Sequence, residues 1–157
     1  MGILNVTPDS FADGGMHNSL PAAMNRVKEM VLEGVDIIDV GGESTRPGAE
    51  RVTEAEELVR TIPVIEAIAK TFPDTTISID TTRANVAQAA LKAGATIIND
   101  VSGGLADPKM ADLVATTGVK YVVMHWRGSS DTMQSKASYE DVNSEVIKEL
   151  LARVDSL

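Results

Sequence analysis

Five short apolar runs in this 157-residue chain each end on a polar residue, and an irregular polar loop follows two of them. The runs are Ile3-Leu4 into Asn5, Val35 to Val40 around Asp36 and Asp39, Thr76 to Ile79 into Asp80, Thr96 to Ile98 into Asn99 and Asp100, and Tyr121 to Met124 into His125. Strands buried on both faces read as continuous Val/Ile/Leu stretches, and in α/β folds the chemistry gathers just past their carboxyl ends. The pattern predicts five parallel strands whose tips present acid, amide or imidazole groups to one pocket.

Between the runs lie segments with helical period and end signals. Ser19 is placed to cap a helix with Pro21 in its first turn, Met24, Val27, Met30 and Val31 on one face, and Gly34 as its stop. Thr53 and Glu56 have capping-box spacing ahead of Leu58, Ile62, Ile65 and Ile68, with Pro63 expected to kink or split that helix. Thr82 opens an Ala-rich segment with Val86, Ala89 and Ala90, closed by Gly94. Asp107 and Pro108 start a fourth helix with Met110, Leu113 and Val114 inward and Gly118 after it. Val142, Val146, Leu150 and Val154 mark a fifth.

Alternation of strand and helix implies parallel pairing with right-handed crossovers, either in an open doubly wound sheet or in part of an eight-stranded barrel. No GxGxxG loop follows the first strand, and polar loops follow several strands, which favours the barrel. A whole barrel needs about 250 residues. Residues 1–157 therefore read as one barrel domain truncated at both ends, about five βα units of eight, lacking the last three.

With 43% hydrophobic residues the chain has enough apolar content for one core. Its formal charge of −9 leaves no basic stripe for nucleic acid or an anionic membrane. Any anionic substrate must be held by a few local cations or a metal. The absence of cysteine removes disulfides and thiolate zinc sites, which fits a reducing compartment, and no apolar run reaches membrane-spanning length. The expected setting is cytoplasmic.

Two loops are specific enough to suggest a family. Asn5 to Gly15 (NVTPDSFADGG) joins a strand-end amide, a Pro turn, two carboxylates and a Gly pair; Gly41 to Gly48 (GGESTRPG) sets a hydroxyl and a guanidinium between Gly-Gly and Pro-Gly. With Ser78 to Thr81 (SIDT), Gly94 to Gly103 (GATIINDVSG), Met124-His125 and Thr132 to Gln134 (TMQ), they resemble dihydropteroate synthase. That resemblance implies a (β/α)8 barrel that joins 4-aminobenzoate to 6-hydroxymethyl-7,8-dihydropterin diphosphate, releasing diphosphate in folate synthesis, with Mg²⁺ as cofactor and a homodimer at full length.

Carried over position by position, the resemblance assigns Asp80 and Asn99 to the pterin edge and Asn5 to the magnesium and diphosphate. Thr45 and Arg46 match positions contacting the diphosphate and the aminobenzoate side, and Pro47 lies beside the arylamine. Phe11 and Asp13 match first-loop positions that close over the reacting carbon, and Asp9 belongs to the same loop. Independently of the family, an aminopyrimidinone ring offers a fixed donor and acceptor pattern that a carboxylate and an amide at neighbouring strand ends can match.

Each residue also has a structural reading. Asp80 or Asn99 could cap a helix or terminate a strand, with Asp100 the better candidate for that structural role. Alternation is expected to send Asp36 and Asp39 away from the pocket. His125 is either a packed imidazole or pocket wall. The family pattern continues with Asp-Pro-Gly, Ser-Arg-Lys and Arg-x-His motifs absent here, so the chain is expected to be inactive alone. Two other readings stay open: a methyltetrahydrofolate:corrinoid methyltransferase barrel, which has no need of Ser44 to Pro47, and a non-catalytic half-barrel.

Overall fold

The computed structural model describes residues 1–7, 15–44, 51–129 and 132–157. Among them, strands and helices alternate: β1 (Gly2–Asn5), α1 (Gly15–Leu32), β2 (Ile37–Gly41), α2 (Glu54–Thr71), β3 (Thr76–Asp80), α3 (Ala84–Ala93), β4 (Ile97–Asp100), α4 (Lys109–Thr117), β5 (Lys120–Val123) and α5 (Val142–Asp155). All neighbouring strands are parallel, and their order across the sheet is β1-β2-β3-β4-β5. A doubly wound sheet reverses its order at a switch point, so helices cover both faces. An unreversed order with right-handed crossovers places every helix on one face. Accordingly α1 packs on α2, α2 on α3, and α3 on α4. These are five consecutive units of a (β/α)8 barrel, as the sequence predicts.

The helix-facing side of the sheet makes the core. Leu4, Ile38, Val40, Ile77, Ile79 and Ile98 are at most 2% exposed and cluster with Val27, Ile65, Ile68, Val86 and Ala90 of the helices. Each large aliphatic side chain buried in this way contributes about 1.5–3 kcal/mol.

Several helix boundaries differ from the sequence reading. Helix α1 begins at Gly15, so Ser19 lies within it and Pro21 is an interior residue. Helix α2 runs unbroken through Pro63. Its cap is as expected, with Thr53 Oγ1 accepting from the Glu56 amide at 3.2 Å. Its fully buried stripe, however, is Glu57, Thr61, Val64, Ile65 and Ile68, leaving Leu58 and Ile62 at the margin of the core. The N-cap of α3 is Arg83 rather than Thr82, and Asp107 Oδ2 accepts from the Ala84 amide at 2.8 Å, so the loop before α4 secures the start of α3. Gly94 (φ +121°) and Gly118 (φ +62°) end α3 and α4 in conformations that favour glycine. Helix α5, capped by Asp141, rests on β5. Val146 and Leu150 are half-buried there, while Val142 and Val154 at the ends of the stripe are exposed.

Candidate functional site

Strand register brings the predicted pocket residues into one row. Asn5, Gly41, Asp80 and Asn99 are successive cross-strand neighbours on β1 to β4. A Cβ at Gly41 would stand 3.5 Å from Asn5 Oδ1 and 3.6 Å from Asp80 Oδ2. The bare glycine thus lies between two polar tips on the face of the sheet away from the helices. One pleat lower on the same face the row is Ile3, Asp39, Ser78 and Ile97.

A hydrogen bond ties the two rows together. Asn99 Nδ2 donates to Asp39 Oδ2 at 3.0 Å, from β4 to β2 across the intervening β3. In a flat sheet strands two apart are separated by about 10 Å. Two short side chains close that distance where the sheet curls toward this face, as a barrel wall does. Asp39, expected to turn away, is 4% exposed and belongs to the concave face with Asp80 and Asn99. The parity assigned to it was wrong because Asp36 and Asp39 are three positions apart and strand alternation cannot turn both the same way; Asp39 shares the face of Gly41, two residues on, while Asp36 lies exposed before the strand.

Burial, and then the negative charge of Asp39 followed by Glu57, Asp100 and Glu43, pushes the Asp80 carboxyl up to about 7. It can therefore donate as a neutral acid or accept as an anion near neutral pH. Asp80 caps no helix; the first amide of α3 is taken by Asp107.

The base of the second loop is held by an ion-pair network that sequence reasoning missed. Arg83 Nη1 bonds both Glu43 Oε2, at 3.0 Å, and the buried Glu57, while Arg83 Nη2 donates to the Val52 carbonyl at 2.6 Å. Arg51 bonds Glu43 and Thr82, each at 3.0 Å, and Arg60 donates to the Gly42 carbonyl at 2.9 Å. A Cβ at Gly42 would come within 2.8 Å of Thr61 Cγ2, so only glycine lets the end of β2 approach α2 this closely. The signal was available: Glu57 shares the buried stripe of α2, and a carboxylate there requires a cation.

Asp9, Phe11, Asp13, Thr45, Arg46 and Pro47 lie outside the described residues. Asp100 takes the structural role expected of it: fully buried, it accepts from the Ser102 amide and hydroxyl, the Gly104 amide and the Tyr121 hydroxyl at 2.7–2.9 Å. His125 bonds Glu149 of α5 at 2.8 Å and, with Leu105, Trp126 and Arg153, lines a cleft of about 300 Å³ between the end of β5 and α5. Arg127, which lies over the Tyr139 ring, also bonds Glu149, and hydrogen bonds first from Arg127 and then from His125 bring that carboxyl down to about 2. Among the described residues no group of three or more His, Cys, Asp or Glu side chains is arranged to hold a metal.

A family profile described as "Pterin binding enzyme" matches residues 1–157. Among curated relatives, dihydropteroate synthase of Mycobacterium leprae is 53% identical over 99% of this chain and 54% of its own length; that of Synechocystis is 51% identical over 99% and 53%. The crystal structure of the Yersinia pestis dihydropteroate synthase, with a sulfonamide drug complex, superposes with a TM-score of 0.89 at 42% identity, covering 99% of this chain and 56% of that one. The chain spans about half the length of the relatives it matches.

Proposed function

Because this chain belongs to the pterin binding enzyme family, we propose that it supplies the pterin-holding and loop-bearing part of a dihydropteroate synthase. In that reading the complete protein condenses 4-aminobenzoate with 6-hydroxymethyl-7,8-dihydropterin diphosphate to give 7,8-dihydropteroate and diphosphate. One observation carries it: Asn5, Asp80 and Asn99 share one row at the carboxyl ends of their strands, where barrel enzymes place their chemistry. Relatives solved with 4-aminobenzoic acid (Xanthomonas albilineans) and with 7,8-dihydropteroate (Burkholderia cenocepacia) support the choice of ligands.

Asp80 and Asn99 bind the aminopyrimidinone edge. Asn5 offers an amide oxygen, the hard donor that Mg²⁺ accepts, and the described residues form no protein cage for it. In this reading Asn5 would hold the ion together with substrate diphosphate oxygens and water. When bound, Mg²⁺ would neutralise charge on the leaving diphosphate. Arg46 performs the same task from the second loop, with Thr45 beside it. The attacking aniline nitrogen is weakly basic, so departure of the diphosphate is the demanding step. The displacement is accordingly loose, with positive charge at the pterin methylene supported by Asp13, Phe11 and Asp9 closing the first loop, and Pro47 packing beside the arylamine. A homodimer at full length and a cytoplasmic setting complete the reading.

The test uses the protein at its full natural length, supplied with both substrates and Mg²⁺. Diphosphate release that requires 4-aminobenzoate is expected, and Arg46→Ala should reduce turnover far more than it weakens binding of the free pterin. Equal losses in both would remove Arg46 from the transition state. Methyl transfer to a corrinoid, with no diphosphate released, would replace the reading altogether.

A further inference from the structure

An asparagine side chain presents a carbonyl at one end and an amide at the other, and a ligand sees a defined pattern only if something decides which is which. On the concave face that decision rests with Asp39. The Asn99 amide nitrogen, which can only donate, lies 3.0 Å from Asp39 Oδ2, which accepts from it. Asn99 Oδ1 receives no hydrogen bond from the described residues and is left as an acceptor. Asp39 is 4% exposed, and its other oxygen, Oδ1, has no hydrogen-bond partner among the described residues; neither has the buried hydroxyl of Ser78, its register neighbour on β3. The carboxylate is thus held on this face by its bond to Asn99.

We infer that Asp39 is a positioning residue for specificity: by holding the Asn99 amide, it turns the Asn99 carbonyl toward ligand N–H groups and so selects a 2-amino pteridine over its 2-oxo counterpart. Exchanging the amino group for oxygen replaces a donor with an acceptor, which would then oppose Asn99 Oδ1. The inference rests on the pterin-binding reading and adds the device that enforces it.

The experiment compares binding of 6-hydroxymethylpterin with binding of its 2-oxo analogue to the full-length protein, before and after Asp39→Asn. An asparagine at position 39 can pair with Asn99 in either orientation, so the amide loses its fixed polarity. The preference for the amino ring should fall roughly tenfold or more, with little change in Tm. If both rings weaken by the same factor and the preference survives, Asp39 only packs and the inference is overturned. An unsubstituted protein that binds the pterin but does not prefer it overturns the inference alone, whereas one that binds neither ring removes the pterin-binding reading as well. A second measurement needs no Asp39 variant: the side-chain amide of Asn99, assigned by its loss in Asn99→Asp, should show one shifted, slowly exchanging N–H proton. Two fast-exchanging, free-amide protons would overturn the proposal.

Discussion

The two faces of this sheet are made by the same strands and do opposite work. In β3 the residues turned to the helices are Ile77 and Ile79, at 2% and 0% exposure, while Ser78 and Asp80 between and beyond them belong to the concave face. β2 repeats the pattern, with Ile38 and Val40 outward and Asp39 and Gly41 inward. The outward face gains stability by removing apolar surface from water. The inward face keeps polar groups, Asp39 Oδ1 and Ser78 Oγ, that find no hydrogen-bond partner among the described residues. Binding chemistry stored on one face is a stability cost borne by the other.

Three consecutive residues of β3 can break that comparison. The largest effect is expected on the helix side. Ile79 is fully buried, so Ile79→Ala should remove about 2–5 kcal/mol of stability through lost transfer energy and a residual cavity. The check is chemical denaturation of the full-length protein. A loss below about 1 kcal/mol would show that the helical layer does not carry the fold in the way its burial indicates.

The next residue should show the opposite sign and a pH dependence. Burial first, and the charge of Asp39 second, raise the Asp80 carboxyl from 3.8 to about 7. A raised acid binds more protons folded than unfolded, so the wild-type protein loses stability as pH climbs from about 4 to about 7. Below that window both states are protonated and no penalty exists; above it the penalty is complete. Asp80→Asn, neutral throughout, should gain on wild type across that window and then plateau, with a benefit of about 4 kcal/mol at pH 8. The observable is the difference in Tm between variant and wild type as a function of pH. A difference that does not vary with pH would mean that Asp80 is solvated as an ordinary surface carboxylate. The gain in stability should accompany weaker pterin binding.

The fold was legible where local rules and burial agree. Each of the five strands falls on its apolar run, because a strand buried on its outward face must be apolar there regardless of the rest of the chain. The row of Asn5, Asp80 and Asn99 was readable for the same reason, since parallel strands of matched length bring their ends together. Asp39 was misread because it was grouped with Asp36 three positions earlier, although period-2 alternation ties its face to that of Gly41 two positions later. Of the kink or split expected at Pro63, the split did not occur, since the packing of Val64, Ile65 and Ile68 outweighs one missing backbone bond. The Glu43, Arg83 and Glu57 clamp joins residues 14, 26 and 40 positions apart, a pairing that periodicity alone does not reach.

The smallest effect is expected at Ser78, and it separates the two faces most directly. The Ser78 hydroxyl is fully buried with no hydrogen-bond partner among the described residues. A desolvated, unpaired hydroxyl costs about 1–3 kcal/mol, and its loss in Ser78→Ala leaves a void of only one atom. The substitution should be neutral or stabilising by up to about 1 kcal/mol, unlike any truncation on the helix side. Urea denaturation at neutral pH decides it, because the two faces predict different signs. A loss of more than 1 kcal/mol would show that the hydroxyl is paired in solution and that the concave floor is as fully satisfied as the core behind it. A gain would leave Asp39 and Asn99 as the polar floor of the site and Ser78 as a residue the fold can exchange.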